Sequence, residues 1–110
     1  MNLSQKRCVP CEAGTPPLAK DKVEEFLREV SDWQLNERGK LSRAFRFKDF
    51  RESLAFVNQV AKIAEEEGHH PDIKVVYNRV TLELITHAIG GLSENDFILA
   101  AKISELAKRG

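Results

Sequence analysis

The chain has 110 residues, of which 42% are hydrophobic and 31% charged, and its 17 basic and 17 acidic residues give a formal net charge of zero. This composition predicts one globular domain and excludes a disordered acidic or basic tail. The chain lacks the net positive charge typical of a free-standing nucleic-acid-binding protein, and no apolar run is long enough to span a membrane. Because no apolar signal core follows Met1, we expect a cytoplasmic protein.

Turn-forming residues without helical periodicity predict an irregular N-terminal arm at 1–18, followed by one domain at 19–110. Within the arm, Cys8 and Cys11 have CxxC spacing, which supplies only two of the four ligands of a structural zinc site. The motif also lacks the flanking strand and helix of a redox site. We therefore expect reduced thiols on a mobile arm, with a metal or disulfide role as the alternative.

The sequence of the first half of the domain predicts a helix followed by a β-hairpin. Apolar residues recur at helical spacing over 19–30. A strand at 33–36, a turn containing Gly39 and a second strand at 41–47 follow. Arg43 interrupts the apolar face of the second strand, which predicts either an edge position or a subunit contact.

The longest helix is predicted at 49–67, and Gly68 is suited to end it in the left-handed conformation. This helix carries an apolar stripe that consists of Phe50, Leu54, Val57, Ala61 and Ala64. A second stripe widens the apolar face, and it consists of Phe56, Val60 and Ile63. Because this width exceeds what a small sheet covers, we expect a homodimer or homotetramer built through this helix or the edge of the 41–47 strand.

The second half predicts another hairpin and a last helix. Strands are expected at 72–77 and 80–87, joined by a tight turn in which Asn78 tolerates the left-handed conformation. Ser93 is predicted to cap the last helix, with Asp96 at its third position. The order α-β-β-α-β-β-α predicts an α+β fold, a four-stranded antiparallel sheet with three helices packed on one face.

All three histidines fall in or beside predicted loops. His69 and His70 lie between Gly68 and Pro71, and His87 closes a predicted strand. Histidine changes charge near neutral pH and so suits acid–base catalysis, although solvated surface histidines are the simpler alternative for any one of them. Gly68 and Pro71 hold two adjacent imidazoles in a non-helical corner, which favours a functional site.

Three carboxylates precede this corner, in a helical turn where the helix dipole favours basic residues. We expect Glu66 and Glu67 to be solvated, and Glu65, one turn before His69, to point inward. A carboxylate near His69 would stabilise its protonated form and orient the ring.

Three spaced blocks extend this pattern. They are Glu65-x-x-x-His69-His70-Pro71, Val76-Tyr77-Asn78-Arg79-Val80 and Thr86-His87-x-x-Gly90-Gly91-Leu92-Ser93-x-x-Asp96. Together they resemble the signature of the pterin-4a-carbinolamine dehydratases, and the match extends over 18–107. Gly68 and Ile73 depart from the family pattern, in which an acidic or polar residue often precedes the histidine pair and an aromatic residue often stands two positions after the proline.

The resemblance implies cofactor-free and metal-free dehydration of a 4a-hydroxytetrahydropterin to a quinonoid dihydropterin, in tetrahydrobiopterin recycling. It implies that His69, His70 and His87 are catalytic, with His70 mainly holding the pterin and the other two transferring protons. The residues that it implies bind the substrate are Glu65, Pro71, Thr86, Ala88, Ile89 and Asp96. We expect Glu65 to hydrogen-bond the pterin edge or His69, and Asp96 either to orient His87 or only to cap the last helix.

Two other functions stay open at this point. Vertebrate members of the family also stabilise the dimer of a homeodomain transcription factor, so the helix at 49–67 is a candidate surface for an unknown protein partner. A metal-dependent hydrolase would use the same three histidines, but adjacent histidines before a proline rarely converge on one ion, and the sequence has no HxxxH or HExxH spacing. We therefore expect no metal, no direct nucleic-acid contact and no membrane association.

Overall fold

The computed structural model describes residues 3–10 and 14–109 of the chain. Its main elements are α1 (Lys20–Glu29), β1 (Gln34–Leu35), β2 (Leu41–Arg46), α2 (Phe50–Glu67), β3 (Asp72–Val76), β4 (Arg79–Leu84) and α3 (Glu94–Arg109). Short 3-10 helices lie at Leu3–Gln5 and His87–Ile89. The strands form one antiparallel sheet in the order β1-β2-β4-β3, which confirms the predicted α+β fold and its element order. No helix in the described ranges has the length and apolar content needed to cross a membrane.

The core lies between the helices and one face of the sheet. Val80, Leu82 and Leu84 of the central strand β4 are fully buried, and their spacing of two residues places them on one face of the strand. Leu41 and Phe45 lie opposite them on β2 and are also buried. Helix α3 completes this layer with the buried residues Phe97, Ile98, Leu99, Ala100 and Ile103. Strand β4 is therefore paired with a strand on each side and packed against the core on one face, and the loop that follows it starts from this well-packed position.

Arg43 lies on the core-facing side of β2, opposite Leu82. Its guanidinium carbon is 4.3 Å from the centre of the Phe45 ring, and its Nη1 is 3.2 Å from the Ser104 hydroxyl of α3. Asp32 places a carboxylate oxygen 3.8 Å from the same nitrogen. These contacts explain why a charged residue stands on the apolar face of β2. The long side chain covers an aromatic ring, and its charged end reaches polar partners in the same chain.

Helix α2 turns only part of its wide apolar face towards the core. Its buried residues are Ser53, Phe56, Val60 and Ala64. Phe50 and Leu54 of the first stripe are 47% and 40% exposed. Two apolar stripes lie side by side on this helix, and periodicity alone does not say which of them meets the sheet.

The hairpin between β3 and β4 also differs from the prediction. The residue with positive φ is Tyr77, at 51°, and not Asn78. Asn78 is held against the end of β2, because its Nδ2 donates to the Phe47 carbonyl and its own carbonyl accepts from the Phe47 amide. These two hydrogen bonds fix Asn78, so Tyr77 takes the left-handed position of the turn.

The described part of the N-terminal arm packs against the last helix. Leu3 is buried in the core, and the Lys102 ammonium donates to the Ser4 carbonyl at 2.9 Å. Lys6 forms an ion pair with Glu94 at the start of α3. Residues 3–10 are thus docked, in contrast to the mobile arm that we expected. Cys11 lies outside the described residues, and the division of the chain at residue 18 stays a prediction.

Candidate active site

The register of the second hairpin brings the histidines together. Asp72, the first residue of β3, pairs with Glu83 near the end of β4. The segment that enters β3 therefore lies beside the segment that leaves β4. A cavity of about 390 Å³ lies where the two segments meet. The sequence predicted this convergence only through the resemblance, since the hairpin alone does not say which side chains point into the cavity.

Five of the predicted site residues line this cavity together, namely His69, His70, Thr86, His87 and Ala88. The others lie outside its lining. Ile89 lines a neighbouring cavity, and Pro71 follows His70 at the entrance to β3. Glu65 and Asp96 each contact one of the histidines directly.

The corner at the end of α2 separates the two adjacent histidines. Gly68 ends the helix in the left-handed conformation with φ of 67°, as predicted. The amides of Gly68 and His69 both donate to the Ala64 carbonyl. After this turn the His69 side chain is only 12% exposed, whereas that of His70 is 59% exposed. The two imidazoles therefore occupy different environments despite being neighbours in the chain.

The segment after β4 forms a compact loop. The strand ends at Leu84, earlier than predicted, and His87 begins a 3-10 helix. The physical reason is an isolated bridge in which the Thr86 amide donates to the Gly91 carbonyl at 2.9 Å. A side chain at Gly91 would meet the Pro17 ring, since a Cβ there would lie 2.8 Å from it. This close packing holds the loop, and His87 stays exposed beside the cavity.

Asp96 orients His69, and not His87 as one of our expectations had it. The carboxylate is fully buried, and its Oδ1 lies 2.6 Å from Nε2 of His69. Its Oδ2 accepts from the Thr86 hydroxyl and the Ser93 amide, both at 2.9 Å, so the predicted capping role is also confirmed. When this carboxylate accepts the hydrogen bond, the proton lies on Nε2 of His69, and Nδ1 is left as the acceptor nitrogen of the ring.

The roles of the glutamates differ from the expectation. Oε2 of Glu65 lies 2.5 Å from Nε2 of His70, and the Glu65 side chain is 77% exposed. Glu65 therefore pairs with His70 at the rim and does not contact His69. The inward carboxylate is Glu67, whose side chain is 6% exposed and which lines the cavity.

Glu67 is held by the arm and by α3. Its Oε1 accepts from the Cys8 amide at 2.8 Å, and its Oε2 lies 3.1 Å from Nε of Arg7 and 3.7 Å from Nζ of Lys102. Burial by itself raises the pKa of Glu67, but the Cys8 amide and the two cations outweigh it and hold the pKa below its ordinary value. The spacing from the buried residues Val60 and Ala64 was the signal that could have identified Glu67, since it continues their stripe by one turn.

Sequence reasoning missed four further lining residues, which are Val9, Pro10, Ile85 and Asn95. No local pattern marks the two arm residues, because they reach the cavity through contacts with distant parts of the chain. In residues 3–10 and 14–109, no group of three or more His, Cys, Asp or Glu side chains is arranged to hold a metal ion.

The fold and the cavity together define a small α+β domain with a site lined by acid–base side chains. Residues 16–106 match the model of the pterin 4 alpha carbinolamine dehydratase family. A relative from Nitrosomonas eutropha, assigned as a pterin-4-alpha-carbinolamine dehydratase, is 49% identical over 96% of this chain and 93% of its own length. One from Rickettsia canadensis, assigned in the same way, is 48% identical over 92% of this chain and 94% of its own length.

A solved structure is also similar. The crystal structure of a transcriptional coactivator/pterin dehydratase from Brucella melitensis has a TM-score of 0.78 and 37% sequence identity. The similarity covers 83% of this chain and 98% of that one. The chain belongs to the pterin-4a-carbinolamine dehydratase family, as its three sequence blocks indicated.

Proposed function

We propose that the protein removes water from a 4a-hydroxytetrahydropterin by histidine acid–base catalysis, without a cofactor. The observation that carries this proposal is the convergence of His69, His70 and His87 on one cavity of about 390 Å³. A cavity of this size is in the range that small-molecule sites occupy. Family membership supports the substrate class, and cytoplasmic recycling of tetrahydrobiopterin is the setting that this activity implies.

The reaction requires two proton transfers. The bond between C4a and the hydroxyl oxygen breaks, and an acid protonates that oxygen so that it leaves as water. A base takes the proton from N5, and the N5 electron pair forms the double bond to C4a. Each positioned acid or base contributes about 10²–10⁴-fold to such a rate, and exchange with solvent then restores both groups.

The surroundings of the histidines favour particular roles. His69 is shielded and held by Asp96 through Nε2, so its Nδ1 is the nitrogen suited to accept the N5 proton. His87 lies exposed beside the cavity, where it can exchange protons with water and act as the acid. His70, paired with Glu65 at the rim, holds the pterin and its hydroxyl. Thr86 and Ala88, on either side of His87 in the chain, also line the cavity.

The test is a dehydration assay. The 4a-carbinolamine is generated with a pterin-dependent hydroxylase, and its decay is followed with EDTA present for wild type, His69→Ala and His87→Ala. Lys20→Ala, an exposed change at the start of α1, is the control. We expect each histidine variant to lose about 10²-fold or more in kcat. Unchanged rates in both would overturn the acid–base proposal, and loss of wild-type activity in EDTA would favour the metal-dependent hydrolase.

We also infer that the chain works as a homo-oligomer. Phe50 and Leu54 of α2 lie with Tyr77 around one surface cavity, and Tyr77 is 63% exposed. Large exposed apolar side chains that cluster in this way mark interaction surfaces. A second candidate contact is the edge of β2, because β1 pairs only with its first two residues, Leu41 and Ser42, among the residues that the structure describes.

A further inference from the structure

The N-terminal arm forms part of the wall of the histidine cavity. Val9 and Pro10 line it together with His69 and His87, although the arm lies outside all three sequence blocks. We propose that the arm is a substrate-binding element whose contacting side chain is Val9, held in place by Asn95 and Glu67 as positioning residues. This inference rests on the proposed function, since it adds a contact residue to the same pterin site.

Asn95 holds the backbone of Val9 from the first turn of α3. The Val9 amide donates to Oδ1 of Asn95 at 3.0 Å, and Nδ2 of Asn95 donates to the Val9 carbonyl. A side-chain amide that pairs with both backbone groups of one residue fixes its position and its orientation together. Because Asn95 is itself buried, this pairing is shielded from competition by water.

Glu67 holds the preceding residue of the arm. Its buried carboxylate accepts from the Cys8 amide at 2.8 Å, and the Cys8 thiol donates weakly to the Asn95 carbonyl at 3.6 Å. Two consecutive arm residues are therefore fixed through their backbones. This arrangement holds the backbone of Val9 while the residue stays 63% exposed at the cavity. An exposed valine on a fixed backbone is the arrangement expected of a preorganised contact.

Val9 also lies at the boundary between the histidine cavity and a neighbouring cavity. Val9 and Asn95 line a second cavity of about 450 Å³, so the arm separates the two spaces. The histidines supply polar groups to the first cavity, whereas Val9, Pro10 and Ile85 supply apolar surface. Ligand sites generally combine a few polar groups with apolar walls of this kind, and a flat bicyclic ring needs such a wall for van der Waals contact.

The experiment measures KM and kcat for the carbinolamine, and the Kd of an unreactive 7,8-dihydropterin by fluorescence. It compares wild type with Val9→Ser, Asn95→Asp and the exposed arm control Gln5→Ala. Asn95→Asp removes the donor to the Val9 carbonyl but keeps the size of the side chain, and an acidic residue is favoured at a helix start. We expect KM and Kd to rise about fivefold in both test variants at unchanged kcat, because apolar contact is lost.

The outcomes separate this inference from the proposed function. Wild-type KM and Kd in Val9→Ser, or a fall in kcat at unchanged KM, would overturn the role of the arm alone. A wild-type protein that neither binds the dihydropterin nor dehydrates the carbinolamine would overturn the proposed function, and this inference with it. Val9→Ser decides the matter even if Asn95→Asp fails to fold, since Val9 is exposed and contributes little to the core.

Discussion

Nε2 of His69 lies 2.6 Å from Oδ1 of Asp96, and the two side chains are 12% and 0% exposed. The other carboxylate–histidine pair of the site, Glu65 with His70, has a similar separation but lies in solvent. Water and salt screen an exposed pair far more than a buried one. The two pairs therefore provide an internal comparison of how burial affects the orientation of an imidazole.

Asp96→Asn should lower kcat by about 10²-fold, because an amide no longer requires the proton to sit on Nε2 of His69. The pH profile of kcat should change as well, which a purely structural defect would not produce. Glu65→Gln is the matched variant, and we expect a smaller effect since its partner His70 is exposed. Equal losses in the two variants, measured on proteins with confirmed folded structure, would contradict the special role of Asp96.

Glu67 should make stability depend on pH. The pKa of Glu67 is lowered in the folded state. Its ionised carboxylate therefore contributes fully to stability above the ordinary glutamate pKa of about 4.3. This contribution is lost as the pH falls through the folded-state pKa. Glu67→Gln retains an acceptor for the Cys8 amide but loses the ion pairs, and should cost about 1 kcal/mol at pH 7. Denaturant unfolding of both proteins at pH 7 and pH 3 measures this. A difference in unfolding free energy that does not shrink at pH 3 would contradict it.

Cys8 should react slowly with alkylating reagents. Burial, followed by the nearby Glu67 carboxylate, raises the pKa of the Cys8 thiol to about 12. At pH 8 the thiolate fraction is then about 10³-fold below that of an ordinary cysteine, and iodoacetamide should react correspondingly slowly. In a Cys11→Ser background, adding Asn95→Asp should accelerate the reaction by releasing the arm. Fast alkylation of Cys8 in the Cys11→Ser protein itself would show that the arm is not docked in solution.

Leu54→Asp should reduce the size of the assembly. Leu54 is 40% exposed on the outer face of α2, so the change leaves the core intact but places a charge in the proposed subunit contact. Light scattering at micromolar concentration should show a smaller particle for the variant. Lys62→Asp, an exposed change on the same helix, is the control. A wild-type protein that is strictly monomeric in this measurement would overturn the homo-oligomer.

Local patterns predicted most of the architecture. The second hairpin was predicted with strands at 72–77 and 80–87, and Gly68 was correctly placed at the end of α2. These features depend on residues close together in the chain, whose periodicity and backbone preferences are visible in a single sequence. The histidine cluster was predicted only because three spaced motifs resemble one family.

The sequence by itself therefore determined the elements, their order and the catalytic candidates. Only the tertiary structure decided that Glu67 and not Glu65 points inward, that Asp96 contacts His69, and that Val9 lines the cavity. The reason is that these outcomes depend on pairs such as Cys8 with Glu67 and Val9 with Asn95, which are 59 and 86 residues apart. Contacts at such separations are set by how whole elements pack, and no local propensity encodes them.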